Sequence, residues 1–178
     1  MGRIQVNYKE EVSKAMRMLA LQSETIFLGQ SVRYPGHAMF GTMEGVPDKK
    51  RIEMPVAEDM QMGISTGLAL QGIIPISIYP RWDFLILATN QLINHLDKME
   101  EMSNGEFTPK VIIRTMVGSM TPLRNGPQHR QDHTKAYQSL VTNIDVYRLE
   151  EAEDVFRVYM RALRSRRSSI VVEVGDLY

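Results

Sequence analysis

The 178-residue sequence contains no cysteine, carries no net charge and has no long apolar run. Without cysteine the chain can form no disulfide, thiol nucleophile or cysteine zinc site. Lysine plus arginine equal aspartate plus glutamate at 21 each, so no overall field attracts nucleic acid or an anionic membrane, and we expect neither as a partner. No apolar run approaches the about 20 residues of a membrane span, and no signal-peptide pattern opens the sequence. We therefore expect a cytoplasmic protein.

The composition is that of a globular protein. Hydrophobic residues make up 43% of the chain and charged residues 24%, which are ordinary values. The length suits one domain with a sizeable core, and nothing in the sequence marks a repeat or a linker. We therefore expect residues 1–178 to form a single domain.

Strand and helix patterns alternate along the chain. Short segments rich in β-branched residues are separated by longer segments with helical spacing of apolar residues. This alternation predicts an α/β fold, with a doubly wound, mainly parallel sheet and helices on both faces. The predicted strands cover residues 25–29, 52–55, 73–79, 110–117, 145–149 and 169–174. The predicted helices run from a cap at Asn7 to residue 20 and over residues 58–70, 84–102, 131–140 and 151–164.

The most informative segment is residues 54–72, which places Glu58 at the start of a helix of small and apolar residues. Glycine in a helix interior costs about 1 kcal/mol relative to alanine, so such a composition indicates close approach of another backbone or a flat ligand. A carboxylate in a partly dry setting can hold or pass a proton near neutral pH. The alternative is that Glu58 only complements the helix dipole.

Other candidate residues also follow predicted strands, where open α/β sheets bind their ligands. They lie in the loop after Gly29, in the turn 79–84 and in the loop 118–133. His129 and His133 are four residues apart and could bind a metal from one helical face, but a third ligand would be needed. A loop histidine that donates a proton or contacts an anion is an alternative, because imidazole titrates near physiological pH. A further alternative is that both histidines are simply exposed to solvent. We expect no metal ligands in this chain.

Four ordered blocks carry a resemblance to a known family. Residues 54–72 resemble the pattern T-P-I-x-E-x-x-x-x-G-x-A-x-G-x-A-x-x-G, and residues 82–94 resemble an aromatic turn followed by D-Q-I-x-N. Residues 127–131 resemble x-Q-H-S-Q, and residues 171–178 resemble a strand that closes the domain. The family is the transketolase-like pyrimidine-binding domain of thiamin diphosphate enzymes. The sequence is most similar to the first domain of the β subunit of pyruvate and branched-chain 2-oxo acid dehydrogenases.

The resemblance implies roles for individual residues. Glu58 would be catalytic and would hydrogen-bond the N1′ atom of the aminopyrimidine of thiamin diphosphate. Phe84 would stack on the pyrimidine ring and Trp82 would help to wall the pocket, although a buried aromatic cluster is the alternative for both. His129 corresponds to the active-site histidine of the family, which meets the substrate or the acyl acceptor.

One position departs from the family pattern. Arg130 stands where the family has a small residue after the histidine. Together with Arg124 and His133, this residue indicates a substrate or acceptor with negative charge and argues against a lipoyl-type acceptor. We therefore predict Arg130 and His133 as substrate-binding residues.

The diphosphate-binding motif of the family is not found in this sequence. That motif is G-D-G followed by an asparagine, and the sole Gly-Asp pair here is Gly175-Asp176, with Leu177 after it. The resemblance therefore implies that a separate, α-like subunit holds the diphosphate and its Mg²⁺. It also implies that the diphosphate-binding and C-terminal transketolase domains are absent here.

The function implied by the resemblance is that of one part of a split enzyme. The chain would be the pyrimidine-binding subunit of a thiamin diphosphate-dependent oxidoreductase or transferase that decarboxylates a small 2-oxo acid and transfers the acyl group. We expect a homodimer alone and a heterotetramer with the partner. Two alternatives are a transketolase-like ketol transfer and a non-catalytic scaffold subunit.

Overall fold

Six parallel strands form the centre of the computed structural model, which describes residues 6–120 and 124–178. The strand order is β2-β1-β3-β4-β6-β5, and every neighbouring pair is parallel. Apolar and β-branched side chains fill the central strands, as expected for a sheet that is covered on both faces. The strands are β1 Thr25–Gly29, β2 Arg51–Glu53, β3 Ile74–Ile78, β4 Ile112–Val117, β5 Ile144–Arg148 and β6 Ser168–Val174.

One α-helix precedes β1, 3₁₀ turns join β1 to β2, and α-helices lie in each later connection between strands. The α-helices are α1 Tyr8–Ala20, α2 Glu58–Leu70, α3 Trp82–Leu85, α4 Met99–Met102, α5 Thr134–Leu140 and α6 Ala152–Arg164. Short 3₁₀ turns cover Ala38–Met43, Asp48–Lys50, Ile86–Ala88, Pro127–His129 and Gly175–Leu177, and a π-helical segment covers Gln91–Leu96. In the part of the chain that the structure describes, no helix is long and apolar enough to cross a membrane.

The sheet separates two buried clusters of apolar side chains. Successive residues of β4 point to opposite faces, so Ile112 belongs to one cluster and Ile113 to the other. The first cluster includes Val12 of α1 and Tyr159 of α6, and the second includes Met62 of α2. Helices therefore cover both faces, and the predicted doubly wound parallel fold is confirmed.

Both ends of α2 show why this small-residue segment forms a helix. Glu58 and Asp59 complement the dipole in the first turn. At the other end, Gly72 has φ +80° and donates its N–H to the carbonyl of Ala69 at 3.1 Å. The N–H of Ile73 bonds to the carbonyl of Leu68 at 3.2 Å, which completes a Schellman motif. The glycine at position 72 thus ends the helix, because other residues rarely adopt this conformation.

The predicted helix over residues 84–102 begins earlier and is not uniform. It starts at Trp82, passes through the 3₁₀ turn Ile86–Ala88 and widens into the π-helical segment Gln91–Leu96. Directly after that segment, the fully buried Asp97 accepts the backbone N–H of Asn143 at 2.7 Å. The irregular helix therefore carries a polar anchor for the loop before β5.

The predicted helix over residues 131–140 was too long at its start. Helix α5 begins at Thr134, because Asp132 accepts both the backbone N–H of Thr134 at 3.0 Å and its hydroxyl at 2.5 Å. This local side-chain to backbone bond competes with helical hydrogen bonding. The interpretation of His129 and His133 as neighbours on one helical face was therefore wrong, since only the residues after His133 are α-helical.

Candidate functional site

The carboxyl ends of four strands meet at one edge of the sheet. Strands β2, β1, β3 and β4 are consecutive neighbours and run in the same direction, so the segments that follow them lie side by side. These segments contain the loop after Gly29, the start of α2 at Glu58, the turn 79–84 and the loop after Val117. The structure thus brings together the regions that the sequence singled out.

Glu58 lies in the first turn of α2 and its side chain is half-buried. The backbone carbonyl of Glu58 accepts the hydroxyl of the fully buried Tyr79 at 3.3 Å, which ties the helix start to the end of β3. Among the described residues, nothing forms a hydrogen bond or an ion pair with the Glu58 carboxylate. The carboxylate is therefore held in position through its backbone and remains available for a ligand.

A second carboxylate at the same edge has a different role. Glu53, the last residue of β2, accepts the backbone N–H groups of Ser31, Val32 and Arg33 at 2.5, 2.9 and 2.9 Å. Three such bonds use most of its acceptor capacity. Glu53 therefore shapes the loop after β1, and Glu58 is the glutamate with unused acceptors.

The small residues of α2 divide between its two faces. On the inner face, the buried Gln61 donates to the Ser77 hydroxyl at 3.1 Å and to the Ile78 carbonyl at 3.0 Å, and the Ser65 hydroxyl bonds to that of Ser77 at 3.0 Å. The short side chains of Ser65 and Ser77 allow the helix to approach β3 closely. On the outer face, Gly67 is exposed and an added Cβ would meet nothing within 4 Å. The inner positions therefore serve packing, and the outer glycine leaves a flat surface.

Four consecutive side chains, Arg81 to Phe84, contact the loop of residues 118–133, which contains His129 and His133 and is called the histidine loop below. Arg81 donates Nη1 to the carbonyls of Gly118 and His129, the second at 2.8 Å. Trp82 Nε1 donates to the Thr134 hydroxyl at 3.3 Å, and Asp83 accepts the Gln131 amide at 2.8 Å. The Phe84 ring meets the His129 ring edge to face, with centroids 5.7 Å apart. The aromatic turn and the histidine loop are thus one connected unit.

The aromatic residues of the turn differ in exposure. Trp82 is fully buried, and its ring lies 4.7 Å from that of Tyr137 and 6.4 Å from that of His133. Phe84 is only half-buried, so part of its ring can meet a ligand. Trp82 supports the loop from beneath, and its role as a pocket wall stays a prediction.

The two histidines occupy separate places. His129 ends the 3₁₀ turn Pro127–His129, whereas His133 precedes α5 and has a buried Nε2 without a hydrogen-bond partner. Within residues 6–120 and 124–178, no group of three or more His, Cys, Asp or Glu side chains could hold a metal ion. Arg130 contacts the sulfur of Met120 at 3.0 Å and, like Arg124, has no carboxylate partner among the described residues.

Sequence reasoning did not identify Arg81 or Tyr79 as residues that build this site. Arg81 lies within the predicted turn, but its guanidinium reaches carbonyls 37 and 48 residues away along the chain. Tyr79 looked like the end of a buried strand. Both contacts depend on the juxtaposition of loops, which no local pattern reveals.

The side chains at this edge suit a flat heteroaromatic ring with a protonatable nitrogen. A carboxylate can hydrogen-bond such a nitrogen, and an aromatic side chain can cover the ring face. Glu58 and Phe84 provide these two groups, and each keeps part of its surface exposed. Helix α2 packs against both β3 and the turn Ile86–Ala88 that follows Phe84, so the two groups come from adjoining elements.

Comparison with known proteins identifies the class. Residues 5–178 match the family model described as transketolase, pyrimidine binding domain. The chain belongs to this family, which confirms the resemblance seen in the sequence.

Curated relatives share about a quarter of their residues with this chain. The pyruvate dehydrogenase E1 component subunit beta of Rickettsia felis is 27% identical over 179 residues, which cover 98% of this chain and 54% of the relative. The mitochondrial subunit beta of Bos taurus is 26% identical, with coverage of 98% and 49%. The chain therefore spans about half the length of the curated relatives it matches.

Solved structures share the fold. A split gene transketolase, described as an inactive beta4 tetramer, superposes with a TM-score of 0.70 at 17% identity and covers 93% of this chain and 50% of its own. The transketolase of Campylobacter jejuni gives a TM-score of 0.73 at 13% identity, with coverage of 95% and 26%. At these identities the likeness concerns the fold alone.

Proposed function

We propose that this chain is the pyrimidine-binding part of a thiamin diphosphate-dependent enzyme that cleaves the bond next to the carbonyl of a 2-oxo acid and transfers the acyl group. The observation that carries this proposal is Glu58, a half-buried carboxylate without a side-chain partner among the described residues, at the edge where Phe84 is partly exposed. Family membership supports the cofactor. The names of the curated relatives support the 2-oxo acid.

Glu58 and Phe84 would hold the aminopyrimidine of the cofactor. When bound, thiamin diphosphate supplies the electron sink for cleavage next to a carbonyl. Glu58 would hydrogen-bond the ring nitrogen and exchange a proton there, and Phe84 would cover one ring face. Tyr79 contributes by fixing the backbone of Glu58, because a carboxylate that must exchange a proton repeatedly needs a constant position.

His129 would act on the substrate side of the site. Its ring lies against Phe84, and its carbonyl is fixed by Arg81. A histidine held from both sides can present its imidazole as a proton donor or as a hydrogen-bond partner of the acyl acceptor. Arg130 and His133 follow in the same loop, and we propose them as contacts for a substrate with negative charge.

We propose that a separate, α-like subunit binds the diphosphate and its Mg²⁺. The curated relatives are subunits by name, which supports a partner chain. Helix α2 and the turn after α3 present exposed apolar side chains, including Met60 and Leu87, which we assign to the contact between two copies of this chain. We further propose a cytoplasmic location, on the compositional grounds given above.

Replacing Glu58 with glutamine tests the proposal. Glu58→Gln keeps the shape of the side chain but cannot exchange a proton, so turnover in the complex with the partner should fall about 10²-fold or more. The matched control is Asp59→Asn, which removes an exposed carboxylate from the same helical turn. Exchange of the cofactor C2 proton, followed by NMR in deuterated buffer, should slow in Glu58→Gln and stay normal in the control.

Two results would contradict the proposal. If Glu58→Gln exchanges the C2 proton as fast as the wild type, Glu58 is not the proton carrier and the scaffold alternative gains support. If the wild-type complex cleaves a ketose phosphate but none of a series of 2-oxo acids, the reaction is a ketol transfer instead.

A further inference from the structure

Arg81 uses only one nitrogen of its guanidinium to build the site. Nη1 donates to the carbonyls of Gly118 and His129, whereas Nε and Nη2 form no hydrogen bond with the residues that the structure describes. Neither nitrogen is among the buried atoms that lack a partner, so both reach the surface of this half-buried side chain. Arg81 therefore presents one open edge with N–H donors.

The same edge binds carboxylates elsewhere in this molecule. Arg114 holds Glu173 through Nε at 2.6 Å and through Nη2 at 3.0 Å. Arg33 holds Asp48 with the same two nitrogens, and its Nε bond is 3.0 Å long. This side-on arrangement forms two parallel charge-assisted hydrogen bonds with a planar carboxylate. Among the described residues, no carboxylate bonds to the corresponding edge of Arg81.

No carboxylate of the described residues neutralises Arg81. Asp83, whose charge acts on Arg81, accepts the amide of Gln131 at 2.8 Å and forms no ion pair with Arg81. Partial burial opposes the charge and lowers the pKa of Arg81, but an arginine remains protonated in proteins. A partly desolvated cation without a partner favours an incoming anion, because the attraction is stronger there than in bulk water.

The position of Arg81 relates this open edge to the candidate site. It follows β3 by three residues and precedes Phe84 by three, and it contacts the backbone of His129. Its guanidinium thus lies at the carboxyl edge of the sheet, against the backbone of the residue proposed to meet the substrate. Arg124 and Arg130 add positive charge from the same loop.

We propose that Arg81 determines substrate specificity by binding the carboxylate of the 2-oxo acid through Nε and Nη2. Nη1 keeps the histidine loop in place, so one side chain positions His129 and selects an anionic substrate. This assignment rests on the proposed function and names the group that distinguishes a 2-oxo acid from a neutral ketone.

A binding experiment on the isolated chain tests the contact without any activity. Arginine Nε–H signals of ¹⁵N-labelled protein are recorded while pyruvate, methyl pyruvate or inorganic phosphate is added. The Arg81 signal should shift with pyruvate and stay unchanged with the neutral ester. An unchanged signal with pyruvate, an equal shift with methyl pyruvate, or phosphate binding at lower concentration than pyruvate would overturn the assignment to a carboxylate.

Kinetics of the complex with the partner subunit test the specificity. Arg81→Gln retains an amide that can donate to the carbonyls of Gly118 and His129, but it loses the positive charge and the paired Nε and Nη2 donors. Arg81→Lys retains the charge alone. KM for pyruvate should rise about 10- to 100-fold in Arg81→Gln and less in Arg81→Lys, since a hydrogen bond to a charged group has this scale. The control Arg164→Gln changes an exposed arginine at the far end of α6.

Exchange of the cofactor C2 proton distinguishes a failure of the proposed function from a failure of the role proposed for Arg81. That step precedes substrate binding, so Arg81→Gln should slow it far less than Glu58→Gln does. Absence of exchange in the wild-type complex would contradict the proposed function itself. Normal exchange together with an unchanged KM for pyruvate in Arg81→Gln would instead contradict only the role of Arg81.

Discussion

The ring of Phe84 meets the ring of His129 edge to face, with 5.7 Å between the centroids and an angle of 85° between the planes. The two residues are 45 positions apart and belong to the segments after β3 and β4, which are neighbouring strands. Edge-to-face packing stabilises an aromatic pair by about 0.5–1.5 kcal/mol beyond its buried area. The contact therefore fixes the histidine relative to the ring proposed to face the cofactor.

Replacing Phe84 with leucine should weaken cofactor binding and loosen His129 together. Leucine keeps apolar bulk but offers no flat face, so the apparent Kd for thiamin diphosphate in the complex should rise up to about tenfold. The His129 ring signal should shift in NMR spectra of the isolated chain. The control Phe107→Leu changes an exposed phenylalanine before β4 and should leave both the apparent Kd and the His129 signal unchanged. Unchanged cofactor affinity in Phe84→Leu would contradict the stacking role.

A buried ion pair stabilises the sheet beneath the site. Arg114 of β4 and Glu173 of β6 are both fully buried, and the hydroxyls of Tyr159 and Tyr178 also donate to Glu173. Burial raises the pKa of both tyrosines, so they stay protonated donors. Arg114→Met should lower the free energy of unfolding in urea by about 3–5 kcal/mol, because it leaves the Glu173 carboxylate without its cation.

The double variant Arg114→Met with Glu173→Leu separates charge from packing. It removes both charges, so it should be more stable than Arg114→Met alone. Glu106→Gln changes an exposed glutamate and should alter stability by less than about 0.5 kcal/mol. A double variant less stable than the single variant would show that packing around the pair, and not the unpaired charge, dominates the loss.

His37 should make stability depend on pH. Its Nε2 bonds to the Gln30 carbonyl at 2.9 Å, so Nε2 is the donor of the neutral ring, and Nδ1 is buried without a partner. Burial lowers the pKa of His37 below 6.5, with Arg114 and Arg81 acting in the same direction and the Gln30 carbonyl and Glu53 opposing it. The unfolded chain then binds more protons than the folded chain below pH 6.5, so stability should fall as the pH falls through this range.

Thermal unfolding between about pH 5 and pH 7.5 measures this effect. In His37→Gln the amide can still donate to the Gln30 carbonyl but does not titrate, so Tm should depend less steeply on pH. His95→Gln makes the same substitution at an exposed histidine and is the matched control. An identical slope in wild type and His37→Gln would contradict the prediction.

The outer face of α2 and the turn beside it should mediate association. Met60, Ile64 and Leu87 are 45%, 38% and 63% exposed, and α2 packs against the turn that contains Leu87. We expect a homodimer through this face, so Leu87→Glu should raise the dimer dissociation constant about tenfold or more in analytical ultracentrifugation. Leu21→Glu alters a residue that is 74% exposed beyond α1 and should have no effect. Equal dissociation constants for both variants would exclude this face.

The sequence allowed most of the fold to be predicted because the signals were local. The strand of residues 25–29 and the helix of residues 58–70 have the predicted bounds, and Asn7 caps α1 by accepting the N–H of Glu10 at 2.9 Å. Errors arose where a side chain competed with the backbone, as Asp132 does before α5. The π-helical segment was not predicted, because apolar spacing does not distinguish it from an α-helix.

The sequence by itself determined the residue types of the site and their order along the chain. Glu58, Phe84 and His129 could be named from their motifs, because each motif is a short local pattern. Only the tertiary structure decided that the Glu53 carboxylate accepts backbone N–H groups, whereas no described group bonds to the Glu58 carboxylate. It also decided that Trp82 is buried while Phe84 is partly exposed. It also showed that Arg81 holds the His129 loop and keeps one edge open. These features depend on which loops become neighbours when parallel strands align. The spacing of residues along the sequence does not show which loops those are.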